Sequence, residues 1–259
     1  ALNLPHGARA VAPSAIAAAG QMWTDQEGMK DHPVPQALDA NQLVETRNEF
    51  VQAARHAVEA GFDGIELHAA NGYLLEQFLS PHSNQRTDNY GGSVENRSRF
   101  VLEVAQAVSD AIGKDKVGIR VSPFGVFNDM PNYPEIEATY TYLAEQLNRI
   151  GIVYIHIVDH SAGGAPEVPL SIKQTIRSTF KNTLILSGGY TLARAEEDLS
   201  SGFADLVAFG KPFITNPDLV ERFRKGLPLN VKLDASTLYT PGEKGFTDYP
   251  VFQDEPVAA

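Results

Sequence analysis

The chain has 259 residues, 43% of them hydrophobic, which is enough for a sizeable core. Its net charge of -11 argues against general nucleic-acid binding, and no run of about 18 apolar residues marks a membrane span. With no cysteine, disulfides, thiolate zinc sites and cysteine-ligated iron–sulfur clusters are excluded, no metal is expected, and a cytoplasmic location fits.

Residues 1–40 show no strand pattern and read as an ordered loop rich in Pro and Gly. Its first twenty residues lack a basic leader and do not read as a signal peptide. A helix is predicted next, with Leu43, Arg47, Phe50, Val51, Ala54 and Val58 on one face, Asn41 as the candidate N-cap and Gly61 as the stop. Asp63 to Leu67 reads as a strand. Ser93 opens a second helix that carries Val94, Phe100, Val101, Val104 and Val108 and closes at Gly113. The pattern then repeats: strand Val117 to Val121, helix Glu135 to Ile150 with Tyr142, Leu143 and Leu147 inward, and strand Val153 to Val158. Helix Leu170 to Phe180, strand Thr183 to Ser187, helix Ala193 to Ser201, strand Asp205 to Phe209 and helix Pro217 to Lys225 follow.

Strands alternating with helices predict an α/β fold with a parallel sheet, and unusual polar residues follow each strand. That is the habit of a (β/α)8 TIM barrel, whose sites lie at the C-terminal ends of the strands. Five strands are visible, so the chain is expected to supply about the last five βα units of such a barrel. Its start at Ala1 fits an excised or processed piece.

Two glycine-bearing loops, Ser187 to Tyr190 and Phe209 to Phe213, follow the last two strands. Glycines there either make tight turns or let backbone N–H groups approach a phosphate, with Lys211 adding charge. Alternation along two strands puts Glu66, His68 and Arg120 on one face. Glu66 and Arg120 are expected to support each other, either as a structural ion pair or with Arg120 facing a ligand. His68, Asn71 and Tyr73 stand where strand becomes loop. Each has a structural reading: a satisfied core histidine, a turn former beside Gly72, a core tyrosine. Together they could polarise one oxygen and deliver a proton. Asn89 to Gly92 reads as a turn before the Ser93 cap.

The segment GFDGIELHAANGYLLEQFLSPHSNQRTDNYGGSVENRSRF, with PVPQALD, VGIRVSP, LILSGGY, LVAFGKPFITNPDL and GFTDYP, resembles the Old Yellow Enzyme family of FMN-dependent ene-reductases. The resemblance implies one domain over 1–259: residues 1–40 as the loop after the third barrel strand, 41–228 as βα units and 229–259 as a C-terminal extension. It implies FMN at the barrel mouth and NAD(P)H as reductant. The substrate would be an enone or nitroalkene whose oxygen is held by His68 and Asn71 and which Tyr73 protonates. Arg120 would lie near the flavin, Gly188, Gly189, Gly210 and Lys211 at its phosphate, and Leu238 and Tyr239 beside its outer ring. Where the family more often has arginine, Lys211 keeps the charge without the bidentate fork. The missing first units imply a second chain or copy completing the barrel. The alternative is a non-catalytic half-barrel without flavin.

Overall fold

The computed structural model describes residues 3–5 and 7–253, so His6 and both ends of the predicted domain lie outside the described residues. Residues 11–37 carry four short strands, where none is expected from sequence. Strand β1 (Val11–Ala12) pairs in parallel with β4 (Gln36–Ala37), while β2 (Gln21–Thr24) and β3 (Gly28–Asp31) form an antiparallel hairpin. Gly28, at φ 68°, supplies the left-handed turn conformation that the hairpin needs. These strands are too short for a period-2 pattern to register.

Helix α1 (Ala40–Glu59) begins two residues earlier than an Asn41 cap would place it. Asp39 is the N-cap: its side chain accepts from the N–H groups of Asn41 and Gln42, and Gln42 Oε1 accepts from Asp39 N–H at 3.0 Å. Strand β5 (Ile65–Ala69) starts two residues later than predicted. A six-residue helix, α2 (Leu74–Leu79), follows; so short a segment shows no helical period in the sequence. Helix α3 (Val94–Ile112) is capped by Ser93, as predicted. Then come β6 (Val117–Val121), α4 (Ile136–Ile150), β7 (Tyr154–Val158), α5 (Leu170–Thr179), β8 (Thr183–Ser187), α6 (Leu192–Ser200) and β9 (Leu206–Ala208). The inward tyrosine of α4 is Tyr140, not Tyr142. A further short helix, α7 (Lys211–Thr215), precedes α8 (Leu219–Lys225), which starts two residues past the predicted Pro217.

Strands β5 to β9 form one parallel sheet in sequential order. This confirms the α/β class. Among the described residues the sheet is open, with β5 and β9 as its edges and no closed barrel. Alternation divides its faces. Leu67, Ile119, Val121, Ile155, Ile157, Leu184 and Leu186 are buried in the hydrophobic core that α3, α4 and α5 share. Glu66, His68, Arg120 and His156 project from the other face. Among the described residues no helix is long and apolar enough to cross a membrane.

Candidate active site

The strand register places the polar face. His68 lies opposite Arg120, and Arg120 lies opposite His156 on the next strand. Glu66 lies opposite Gly118, and the register pairs Gly118 with Tyr154. A Cβ on Gly118 would sit 2.1 Å from the Tyr154 ring, so only glycine leaves room for that tyrosine.

Glu66 and Arg120 do not form the direct pair expected, although the Arg120 charge still favours the Glu66 carboxylate. Glu66 Oε2 bonds His156 Nδ1 at 2.9 Å, while His156 Nε2 meets Ser187 Oγ at 3.0 Å. The register explains this, since Arg120 is two residues further along its strand than Gly118, the residue facing Glu66. Burial alone would raise the Glu66 carboxyl. Hydrogen bonds from His156 and Tyr154 and the charges of His156 and Arg120 outweigh it and hold the carboxyl below its usual range. Arg120 makes no ion pair among the described residues, and its buried Nε has no hydrogen-bond partner.

The loop after β5 is held by its own backbone. Ala69 and Ala70 are fully buried, and Asn71 follows in the left-handed region at φ 60°. Asn71 N–H donates to Ser122 Oγ at 2.8 Å, and Asn128 Nδ2 donates to Asn71 O at 2.8 Å. Asn71 Oδ1 meets His160 Nε2 at 2.6 Å. An amide oxygen only accepts, so that His160 nitrogen carries the hydrogen, and among the described residues the Asn71 Nδ2–H2 group has no acceptor. The His160 ring also stacks on Phe127 at 5.8 Å. Tyr73 caps α2, is 52% exposed, and its ring lies 5.2 Å from that of His68. Burial and the nearby Arg120 charge hold both His68 and His160 below the usual histidine value, which favours the neutral form of each.

His68, Asn71, Tyr73 and Arg120 are therefore brought together, as expected. His156, His160, Glu66 and Ser122 join them. His156 lies in β7 and His160 two residues beyond its end, but periodicity alone does not show which loop a strand's end will touch.

The glycine loops differ from one another. Gly188, at φ 109°, passes so close to β7 that a Cβ would lie 1.9 Å from Asp159 O, so its need for glycine is complete without a ligand. Gly189, at φ 63°, follows it. Gly210 caps α7 with nothing within 4 Å of where a Cβ would stand, and Lys211 is exposed beside it. Tyr239 is 98% exposed, and its packing does not tie it to the sheet. A cavity of about 390 Å³ lies beside Tyr73, lined also by Gly72, Gln77, Met22, His32 and Pro33. Residues 21–40 thus contribute to a cavity wall, though Trp23 itself is 64% exposed. His68, Arg120 and the glycine loops lie outside this cavity.

Residues 4–230 match the NADH:flavin oxidoreductase / NADH oxidase family. The chain belongs to that family. The resemblance to the Old Yellow Enzyme family is borne out. Among curated relatives, a putative 12-oxophytodienoate reductase 11 of Oryza sativa subsp. japonica is 46% identical over 83% of this chain and 59% of its own length. A probable flavin mononucleotide-dependent alkene reductase of Leishmania infantum is 41% identical over 96% of this chain and 68% of its own. Among solved structures, morphinone reductase superposes with a TM-score of 0.91 at 43% identity, covering 97% of this chain and 68% of that one. This flavin-oxidoreductase-family chain thus spans about three fifths to two thirds of the length of these relatives.

Proposed function

We propose that the chain carries most of the active site of an FMN-dependent, NAD(P)H-driven ene-reductase. Its substrates would be α,β-unsaturated carbonyl or nitro compounds. The observation that carries this reading is the convergence of His68, Asn71 and Tyr73 at the end of β5, beside an arginine with an unsatisfied buried nitrogen. The names of the relatives point the same way and weigh against a non-catalytic half-barrel.

The residues present fit a flavin. The orphaned Arg120 Nε is a donor lacking an acceptor, and a flavin ring offers acceptors along one edge. The open backbone at Gly210 and the exposed Lys211 suit a phosphate, with Gly188 and Gly189 close by in the preceding loop. Tyr239 and Leu238 would flank the outer ring. Bound FMN would accept hydride from NAD(P)H and return it to the alkene.

The chain's own groups do the rest. The Asn71 amide and a His68 N–H would bind the carbonyl or nitro oxygen and stabilise the negative charge that grows on it. A neutral His68 does so by hydrogen bonding, without transferring its proton. Tyr73 would give its phenolic proton to the α-carbon, with His68 packed against its ring. The sheet would form the last five βα units of a (β/α)8 barrel, the extension 229–259 lying outside them. The β5 and β9 edges are then where the first three units pair, whether from a longer chain, a second chain or a copy. Native mass spectrometry with an absorbance scan and an NADPH-oxidation assay on 2-cyclohexenone tests the reading. Bound flavin and enone-dependent oxidation are expected. A protein that stays colourless in saturating FMN, alone and with the N-terminal third of a relative added, would refute it.

A further inference from the structure

Behind the loop that carries Asn71 lies a buried carboxylate that the proposed reaction does not use. Glu76, in the first turn of α2, is 4% exposed. Its Oε2 accepts from Gly72 N–H at 2.6 Å. Its Oε1 accepts from Ser122 Oγ at 2.6 Å and from Tyr140 OH at 2.9 Å. Ser122 Oγ in turn accepts from Asn71 N–H at 2.8 Å. Two consecutive loop amides therefore end on one carboxylate, one directly and one through a single hydroxyl. Both residues have positive φ, 60° at Asn71 and 73° at Gly72, a conformation uncommon outside glycine that the surrounding hydrogen bonds hold in place.

We propose that Glu76 is a positioning residue whose carboxylate holds Asn71 in its left-handed conformation and so aims the Asn71 amide at the ligand oxygen. The proposal rests on the ene-reductase reading for what the amide binds, but the clamp itself does not.

The clamp suits the ionised form. All three partners donate to Glu76, and Gly72 N–H can do nothing else. A proton on the carboxyl must be donated to Ser122 or Tyr140, which turns a hydroxyl away. If that hydroxyl is Ser122, its oxygen accepts from both the carboxyl and Asn71 N–H, its own hydrogen loses Glu76 as acceptor, and Asn71 is no longer tied to a charged group. Burial pushes the Glu76 carboxyl up to about 7, against the hydrogen bonds from Ser122, Gly72 and Tyr140. Among the described residues no cation is paired with it. The surrounding ionisable groups are known. Tyr133 and Tyr140 both titrate above the usual tyrosine value and stay neutral. Arg97 donates Nε and Nη1 to the carbonyls of Leu79 and Gly92 and lies over the Tyr133 ring, with its buried Nη2 unpartnered among the described residues. Across the loop, burial and the Arg120 charge hold His68 and His160 below the usual histidine value. The clamp is therefore made above about pH 7 and loosened below it.

The test follows the backbone amides of Asn71 and Gly72 by ¹H–¹⁵N NMR from pH 5.5 to 8.5, with 4-hydroxybenzaldehyde affinity measured by titration calorimetry on the FMN-loaded protein. Both amides are expected to shift with one midpoint near 7 that Glu76→Gln abolishes. Glu76→Gln should weaken the phenol roughly tenfold at pH 8 and leave it near wild type at pH 6. Glu76→Asp should restore part of the loss. A merely structural glutamate would give the same loss at both pH values. Ser122→Ala, which leaves the Gly72 bond intact, should remove the titration of Asn71 alone, and it decides the matter if Glu76→Gln does not fold. Amides that do not titrate near 7, or titrate unchanged in Glu76→Gln, overturn the proposal. If the amides titrate as expected and no phenol binds, the clamp stands and the ene-reductase reading falls.

Discussion

Replacing Lys173 by methionine should remove one half of an ion pair that closes the β7–α5 loop. Lys173 Nζ lies 2.8 Å from Asp159 Oδ2, and the two side chains are 6% and 5% exposed. Asp159 also accepts from Ser161 N–H at 2.9 Å and from Val168 N–H at 3.3 Å. Burial would raise this carboxyl, but Lys173 and the Ser161 hydrogen bonds hold it below the usual range. Methionine fills similar volume, so packing is nearly conserved and the buried charge loses its partner. Breaking a buried pair in this way costs about 3–5 kcal/mol. The surviving amide donors place the expected loss near the lower end, about 3 kcal/mol, or on the order of 10 °C in Tm for a chain of this size.

The pH dependence supplies the check. A carboxyl depressed in the folded state contributes stability above its unfolded value of 3.8, and that stability is lost as pH falls through the folded value. Without Lys173, burial is less opposed and Asp159 takes up its proton at higher pH. The deficit of Lys173→Met, measured by urea unfolding, should be full at pH 7 and shrink towards pH 4. A deficit below about 1 kcal/mol at pH 7, or one equal at both pH values, would refute the ion-pair reasoning.

Other perturbations test other parts of the fold. Gly118→Ala puts a Cβ 2.1 Å from the Tyr154 ring and should cost about 1–3 kcal/mol by overpacking, seen in a thermal melt; an unchanged Tm would mean Tyr154 does not lie over the strand. His68→Ala should weaken 4-hydroxybenzaldehyde on the oxidised, flavin-loaded protein roughly tenfold, and unchanged affinity would count against its oxygen-binding role. Glu76 rises from 4.5 to about 7 on folding, so wild type should lose about 3 kcal/mol relative to Glu76→Gln as pH climbs through that window. A flat difference across the window would mean Glu76 ionises normally.

Much of this architecture is legible in the residues because a strand's two faces and a helix's buried stripe are local periodicities. VGIRV and TLILS were bounded correctly, since each alternates and has no competing pattern. The caps obey local chemistry as well, yet Asp39 and Asn41 offered the same chemistry two residues apart, and only the Gln42 reciprocal bond separates them. Short elements such as α2, α7 and the 11–37 strands span too few residues for any period to show.

The site divides along the same line. His68, Asn71 and Tyr73 are close in sequence, so their meeting is set by one turn of chain. The partners of that turn are not. Which residue Glu66 grips, which ring fixes the Asn71 amide and which hydroxyls meet Glu76 depend on strands and helices 46 to 90 residues away. Sequence by itself determined the alternation of strand and helix, the polar face of the sheet and the cluster of polar side chains at the end of β5, because these follow from nearest neighbours along the chain. Tertiary structure alone decided the register, and with it that His156 rather than Arg120 hydrogen-bonds Glu66 and that Arg120 is left with a donor to offer, because hydrogen bonding reads neighbours in space.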